Sequence, residues 1–215
     1  MASHVRVVVC ELGTGNVRSV VRAVEQAAPN ASVVVSGEAA AVRSADVVVF
    51  PGQGAFGTFA LAVESAGIGD ALREHVLRER PYLGICLGMQ VLFESSEEAP
   101  GARGLGVIPG HVRRLQAGVD PATGAPRALP HIGWNAVSGV HGQDARALLP
   151  TSATHFYFAH SYVAEPLDAS YALATTDYGV PFTSAVAKNA LLGVQFHPEK
   201  SQREGLALLT RFFRL

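Results

Sequence analysis

Cysteine, tryptophan and methionine are scarce in this 215-residue chain, with two, one and two copies respectively. Two cysteines, Cys10 and Cys86, make no disulfide framework. Neither sits in a Cys-x-x-Cys pair or a His/Cys cluster of zinc-site spacing, so no metal is expected. An excess of one charge is also lacking. The formal net charge is −1, so nothing points to nucleic acid or to an anionic membrane surface. No apolar run approaches the roughly 18 residues of a spanning helix. The chain enters a strand-like stretch at once, without the charged leader and cleavage site of a signal peptide. The expectation is a cytoplasmic protein. Internal repeats, low-complexity tracts and linker-like stretches are missing too.

What is present is a composition that can bury a core: 48% hydrophobic and 16% charged residues. The length suits one α/β domain over residues 1–215. Residues 5–10 read as a fully buried, β-branched strand. Val17, Val20, Val21, Val24 and Ala28 recur at helical spacing behind Asn16, a candidate N-cap. Further strands are expected over 31–35, 46–50 and 82–85, with helices over 58–65, 68–80 and 88–94. Such alternation predicts an open, mostly parallel central sheet flanked by helices. The second half reads differently. Runs at 112–115, 127–129, 154–162, 171–176, 183–187 and 191–196 are separated by short turns, which predicts antiparallel additions. Ser201-Gln202-Arg203-Glu204 has the form of a capping box opening a last helix.

Two segments carry chemistry. Gly84-Ile85-Cys86-Leu87-Gly88 places a cysteine between a buried strand and a helix, the thiol form of a nucleophile elbow. A side chain at so sharp a turn is pushed above the sheet edge, and the flanking glycines admit close backbone approach. The helix that starts there aims N–H groups at the sulfur, with Leu87 as the candidate oxyanion donor. Cys10, at the end of an apolar run, reads as a buried small hydrophobe instead.

A thiol nucleophile needs a base that later returns the proton to a leaving amine. His197, in Phe196-His197-Pro198-Glu199, stands out among the 8 histidines through its neighbours. Glu199 lies two residues on, and in an extended segment it would point the same way and orient the imidazole. His4, His75, His111 and His141 are read as ordinary surface or core residues. The Pro51-Gly52-Gln53-Gly54 loop is the natural source of a second oxyanion donor.

GICLGMQ (84–90) and FHPEKS (196–201) resemble the signatures of class I, triad-type glutamine amidotransferases, with a flavodoxin-like fold. LPHIGWN (129–135), FYFAHSY (156–162), TTDYGVPFTSAV (175–186) and GLGVIP (104–109) resemble one subfamily, the glutaminase subunit of imidazole glycerol phosphate synthase. The likeness spans nearly the whole chain. It implies a glutaminase with Cys86 as nucleophile, His197 as general base and acid, and Glu199 as orienter. It also implies that Gly52, Gln53, Leu87, Gln90, Ser161 and Tyr162 hold glutamine or its oxyanion. The implied partner is a separate (β/α)8-barrel cyclase subunit that receives the ammonia, with no metal or organic cofactor in this chain. Asn16, Trp134, Tyr157 and Lys200 match positions near that partner. On their own chemistry, Trp134 and Tyr157 read equally as core aromatics and Lys200 as a solvated charge. In one place the chain departs from the pattern: Gln53 occupies a loop position where the subfamily commonly has valine. Alternatives at this point are a glutaminase serving pyridoxal, purine or anthranilate synthesis, a γ-glutamyl hydrolase or cysteine peptidase, and a non-catalytic regulatory subunit.

Overall fold

The structure, a computed structural model, describes residues 5–13, 17–120, 122–138, 148–150 and 152–214. Asn16, His4 and His141 lie outside the described residues, so the N-cap and interface readings of Asn16 have no structural counterpart here. The first half follows the expected alternation. Strand β1 (Arg6–Cys10) leads to helix α1 (Val17–Ala27), β2 (Ser32–Ser36), α2 (Ala39–Arg43) and β3 (Val47–Gly52). Helices α3 (Phe56–Ser65) and α4 (Gly69–Leu77), strand β4 (Tyr82–Cys86) and the single turn α5 (Leu87–Gln90) follow. The second half adds β5 (Ser95–Ser96), β6 (Gly110–Arg114), β7 (His131–Val137), β8 (Thr154–His160), β9 (Tyr162–Pro166), β10 (Ala172–Asp177), β11 (Pro181–Lys188) and β12 (Leu191–Val194). Helix α6 (Gln202–Phe212) closes the chain.

The main sheet runs β2-β1-β3-β4-β12-β11-β9-β6-β5, with β10 beside β11. Its first five strands pair in parallel, in the 2-1-3-4-5 order of flavodoxin-like folds. From β12 onward β11, β9, β10 and β6 pair antiparallel. Strand alternation sorts the core into two faces. Val7 and Val9 join α1 and α6 through Val20, Val24, Leu208 and Phe212. Val8 and Cys10 join α2, α3 and α4 through Val42, Phe59 and Leu72. Both faces of the parallel sheet are therefore covered, which is why its strands read as continuous apolar runs. Among the described residues no helix is long and apolar enough to cross a membrane.

Several local expectations are corrected. The helix expected over 88–94 is only Leu87–Gln90, because the chain turns to bring Leu105 N–H onto the Val91 carbonyl at 2.6 Å. Residues 127–129 form no strand. They lead into a cis Leu129–Pro130 peptide ahead of β7, which sequence reading did not identify as a strand. The strand expected over 154–162 breaks at Ser161, whose carbonyl accepts from Leu115 N–H. The break lets β8 pair with β7 as a separate two-stranded sheet while β9 joins the main sheet. The capping box does not form. Ser201 makes no side-chain cap on α6; its hydroxyl is spent on β8 and on the His197 segment instead.

Candidate active site

The carboxyl ends of β3, β4 and β12 open into one cleft of about 320 Å3, where open α/β sheets place their ligands. Cys86 ends β4 with φ 55° and ψ −109°, a left-handed backbone that a non-glycine residue adopts only when its surroundings impose it. The flanking glycines explain how. A Cβ on Gly84 would lie 2.4 Å from the Gly88 carbonyl oxygen, and one on Gly88 would lie 1.7 Å from the Phe50 carbonyl oxygen. Only bare backbone fits, so β4 and α5 close up and Cys86 is forced outward into the cleft. Cys10, by contrast, is 1% exposed inside the core, and burial pushes its thiol up to about 12.

His197 faces the same cleft from the segment after β12. Four contacts fix that segment. His197 N–H donates to the Tyr157 carbonyl at 2.8 Å, and Tyr157 N–H donates to the Ser201 hydroxyl at 3.0 Å. The Ser201 hydroxyl donates to the His197 carbonyl at 2.6 Å, and Phe196 stacks on Phe156 at 4.1 Å. Pro198–Lys200 is a 3-10 turn rather than the extended segment expected, because the fixed φ of Pro198 suits the first position of a helical turn. Glu199 still reaches the ring, with Oε1 2.8 Å from His197 Nδ1, and both side chains are 2% exposed. Burial alone would lower the basicity of His197. Hydrogen bonds to Cys86 and Glu199 and their charges outweigh it, raising the pKa to about 9. The imidazole therefore holds the Glu199 carboxylate on Nδ1 and shares the cleft with the Cys86 thiol, which acts on its titration.

The remaining positions fall into two groups. Gln53, Leu87, Gln90, Ser161 and Tyr162 all line the cleft. Gly52 does not line it directly. It stands beside Cys86 in the β3–β4 register, and a Cβ there would meet Leu87 Cβ at 2.7 Å. Leu87 opens α5, so its N–H belongs to the unpaired first turn of that helix. Trp134, Tyr157 and Lys200 form an outer cluster at the rim. Trp134 is 47% exposed and meets Tyr157 edge-to-face at 6.2 Å, and the Lys200 ammonium lies 5.9 Å from the Tyr157 ring. Trp134 is therefore not a core aromatic, and Lys200 lines the cleft as well as the rim.

Sequence reasoning missed four polar residues. Glu98 lines the cleft and accepts from Phe56 N–H at 2.8 Å, at the start of α3. Gln195, 0% exposed, lies between Gln90 and the Cys86 sulfur. His131 and His160 form a buried pair at 3.0 Å, and His160 borders the cleft. The two histidines lie inside quoted motifs and Gln195 in the expected strand run 191–196, and a polar residue within an otherwise apolar run was the available signal. Glu98 had none, since it sits in an ordinary acidic loop.

A strained cysteine elbow and a carboxylate-bound histidine thus share one cleft at the strand ends of a flavodoxin-like sheet, an arrangement open to several cysteine-dependent chemistries. Comparison with known families narrows this: the chain belongs to the family described as glutamine amidotransferase class-I, which matches residues 8–215. It is 44% identical over 216 residues to the imidazole glycerol phosphate synthase subunit HisH of Thermus thermophilus, covering 99% of each chain. The corresponding subunit from Methylococcus capsulatus is also 44% identical, over 97% of this chain and 95% of that one. Among solved structures, the fold matches PurLQS from Thermotoga maritima with TM-score 0.73 and 17% identity, covering 99% of both chains. A glutamine amidotransferase crystal structure matches with TM-score 0.69 and 21% identity, over 96% of this chain and 97% of that one.

Proposed function

We propose that this chain is the glutaminase subunit of imidazole glycerol phosphate synthase, and that Cys86, His197 and Glu199 carry its chemistry. The observation that carries the reading is the His197–Glu199 bond of 2.8 Å, made in the cleft that also holds the Cys86 elbow. Near-full-length identity to subunits of that synthase supports the choice of pathway.

In this mechanism His197 holds, as imidazolium, the proton given up by the Cys86 thiol while the sulfur attacks the side-chain amide carbon of glutamine. Negative charge on the amide oxygen rests on Leu87 N–H and on an N–H of the Gly52–Gln53–Gly54 loop. The imidazolium, held by Glu199, gives its proton to the leaving nitrogen, and ammonia departs from a glutamyl thioester. Water then attacks the thioester as His197 removes its proton, which frees glutamate and the thiol. Glu98 offers the cleft a carboxylate to meet the substrate's α-ammonium. Gln90 uses its amide nitrogen on Tyr162 O and Gln195 Oε1, so its own oxygen is the atom left for the ligand.

The ammonia passes to a (β/α)8-barrel cyclase subunit, which docks over Trp134, Tyr157 and Lys200. There it reacts with the ribulosyl-formimino nucleotide to give imidazole glycerol phosphate and the aminoimidazole-carboxamide ribotide. Both cysteines are free and buried, which suits a reducing compartment, and the cytoplasm is the proposed location. The test is co-purification with the cyclase of the same host, followed by glutamate release with and without the nucleotide. Nucleotide-stimulated glutamate release is expected. Activity confined to γ-glutamyl peptides, or stimulation only by another synthase, would overturn the reading.

A further inference from the structure

A side-chain amide that no part of the triad requires touches the nucleophile. Gln195 follows β12 two residues before His197 and is fully buried. Its Nε2 donates to Cys86 Sγ at 3.6 Å, and its Oε1 accepts from Gln90 Nε2 at 2.9 Å. Gln90 Nε2 also donates to the Tyr162 carbonyl at 3.1 Å. The polarity of the chain is consistent at every link. Sulfur accepts, the Gln195 amide donates at one end and accepts at the other, and Gln90 spends both amide hydrogens on carbonyl oxygens. The Gln195 backbone is itself pinned, its N–H donating to the Ser184 carbonyl at 2.9 Å.

We propose that Gln195 is a positioning residue with two tasks: it holds the Cys86 sulfur as a hydrogen-bond acceptor, and it turns Gln90 so that the Gln90 oxygen faces the substrate. The first task acts on the nucleophile. A fixed N–H in a dry site stabilises developing negative charge on sulfur and restrains the side chain at its strained corner. The second acts on recognition. Without the Gln195 acceptor the Gln90 amide is free to rotate, and a ligand N–H then meets either end of it. This inference rests on the glutaminase reading for its kinetic arm but not for its sulfur arm.

Gln195→Met removes both bonds while keeping an unbranched side chain of similar volume. Gln195→Glu keeps the acceptor toward Gln90 and replaces the donor toward sulfur with an oxygen. The first readout is iodoacetamide labelling of the Cys86 peptide by the full-length chain across pH. Groups that bear on this sulfur are His197 and Glu199 from the segment after β12, Lys200 and Glu98 at the cleft, and His160 at the end of β8. In both variants the labelling midpoint is expected to move to higher pH, and the neutral-pH rate to fall roughly tenfold to a hundredfold. The second readout is steady-state glutaminase activity with the cyclase bound. Both variants lose kcat, but the glutamine KM rises in Gln195→Met and stays near wild type in Gln195→Glu. The third needs no variant: in wild-type protein the Gln195 side-chain NH2 resonances are expected to shift when Cys86 is alkylated. Folded variants with wild-type labelling profiles, or NH2 signals indifferent to alkylation, overturn the proposal. A wild-type chain that labels as expected but never releases glutamate would instead overturn the glutaminase assignment alone.

Discussion

The Ser201 hydroxyl donates to the His197 carbonyl at 2.6 Å while accepting from Tyr157 N–H, so one oxygen ties β8 to the histidine segment. This is what the apparent capping box does in place of capping. Ser201→Ala takes the Ser201 hydroxyl from Tyr157 N–H in a buried setting, while the His197 carbonyl keeps its bond from Lys200 N–H. It is expected to cost about 1–3 kcal/mol, read as a lower urea midpoint at unchanged m-value, together with slower glutamate release. Glu204, the other half of the box, pairs among the described residues only with the highly exposed Arg203. Glu204→Ala should therefore stay within about 0.5 kcal/mol of wild type. Equal losses in the two variants would restore the capping box.

Histidine titration gives a second prediction. His197 is raised to about 9 by Cys86 and Glu199 against its burial. A raised folded-state value means that its contribution to stability is complete below the ordinary histidine value. That contribution is lost as pH rises through about 9. His131 is lowered to about 4 by burial and the Arg127 charge, and His160 to about 3 by burial and its neighbour His131. Their contribution has the opposite sense, present above the ordinary value and lost as pH falls toward 4 and 3. Stability should thus peak near neutrality. Ring NMR should show His197 protonated at pH 7, with His131 and His160 neutral. Cys86→Ala removes two of the influences that raise His197, so its titration should move down; an unmoved titration would deny the sulfur's influence on the ring.

How far the sequence reached depended on how local each cause was. The parallel half was legible because each strand is buried on both faces and each helix has one apolar stripe, so periodicity reports position directly. The grouping of Cys86, His197 and Glu199 was legible because its spacing reflects backbone chemistry, with glycines at an elbow and a carboxylate two residues from a histidine. Even there, the geometry joining His197 to Glu199 is a 3-10 turn, not the extended segment that the spacing implied. Strand β7 escaped notice because Gly133 and Asn135 dilute its pattern, and its pairing with β8 joins residues far apart in sequence. Gln195 escaped for the same reason, since its partners Gln90 and Cys86 lie 105 and 109 positions away.

The elbow glycines yield a contrast in severity. Gly88→Ala places a Cβ 1.7 Å from the Phe50 carbonyl oxygen, a clash with backbone that no side-chain rearrangement relieves. Loss of soluble folded protein is expected. Gly124 has φ +68° but nothing within 4 Å of a Cβ, so only the left-handed backbone opposes substitution. Gly124→Ala should cost about 1–2 kcal/mol, visible as a modest drop in melting temperature. If both behaved alike, close approach between β3 and α5 would not be what demands glycine at the elbow.

The last prediction concerns Gln53. Its side chain borders the cleft but makes no hydrogen bond among the described residues, while Gly54 beside it holds φ +96° with open space around it. A loop so lightly tethered is free to withhold its N–H until the partner docks. Losing one oxyanion donor costs roughly 2.7–4 kcal/mol of barrier. The isolated chain should therefore release glutamate about a hundredfold or more slowly than its complex with cyclase and nucleotide. Equal rates would remove the switch. Because nothing grips the Gln53 amide, Gln53→Val should change the stimulated rate by no more than about twofold, the scale of ~0.5 kcal/mol. A tenfold loss in Gln53→Val, measured at saturating glutamine in the complex, would instead place that amide in contact with the reacting group.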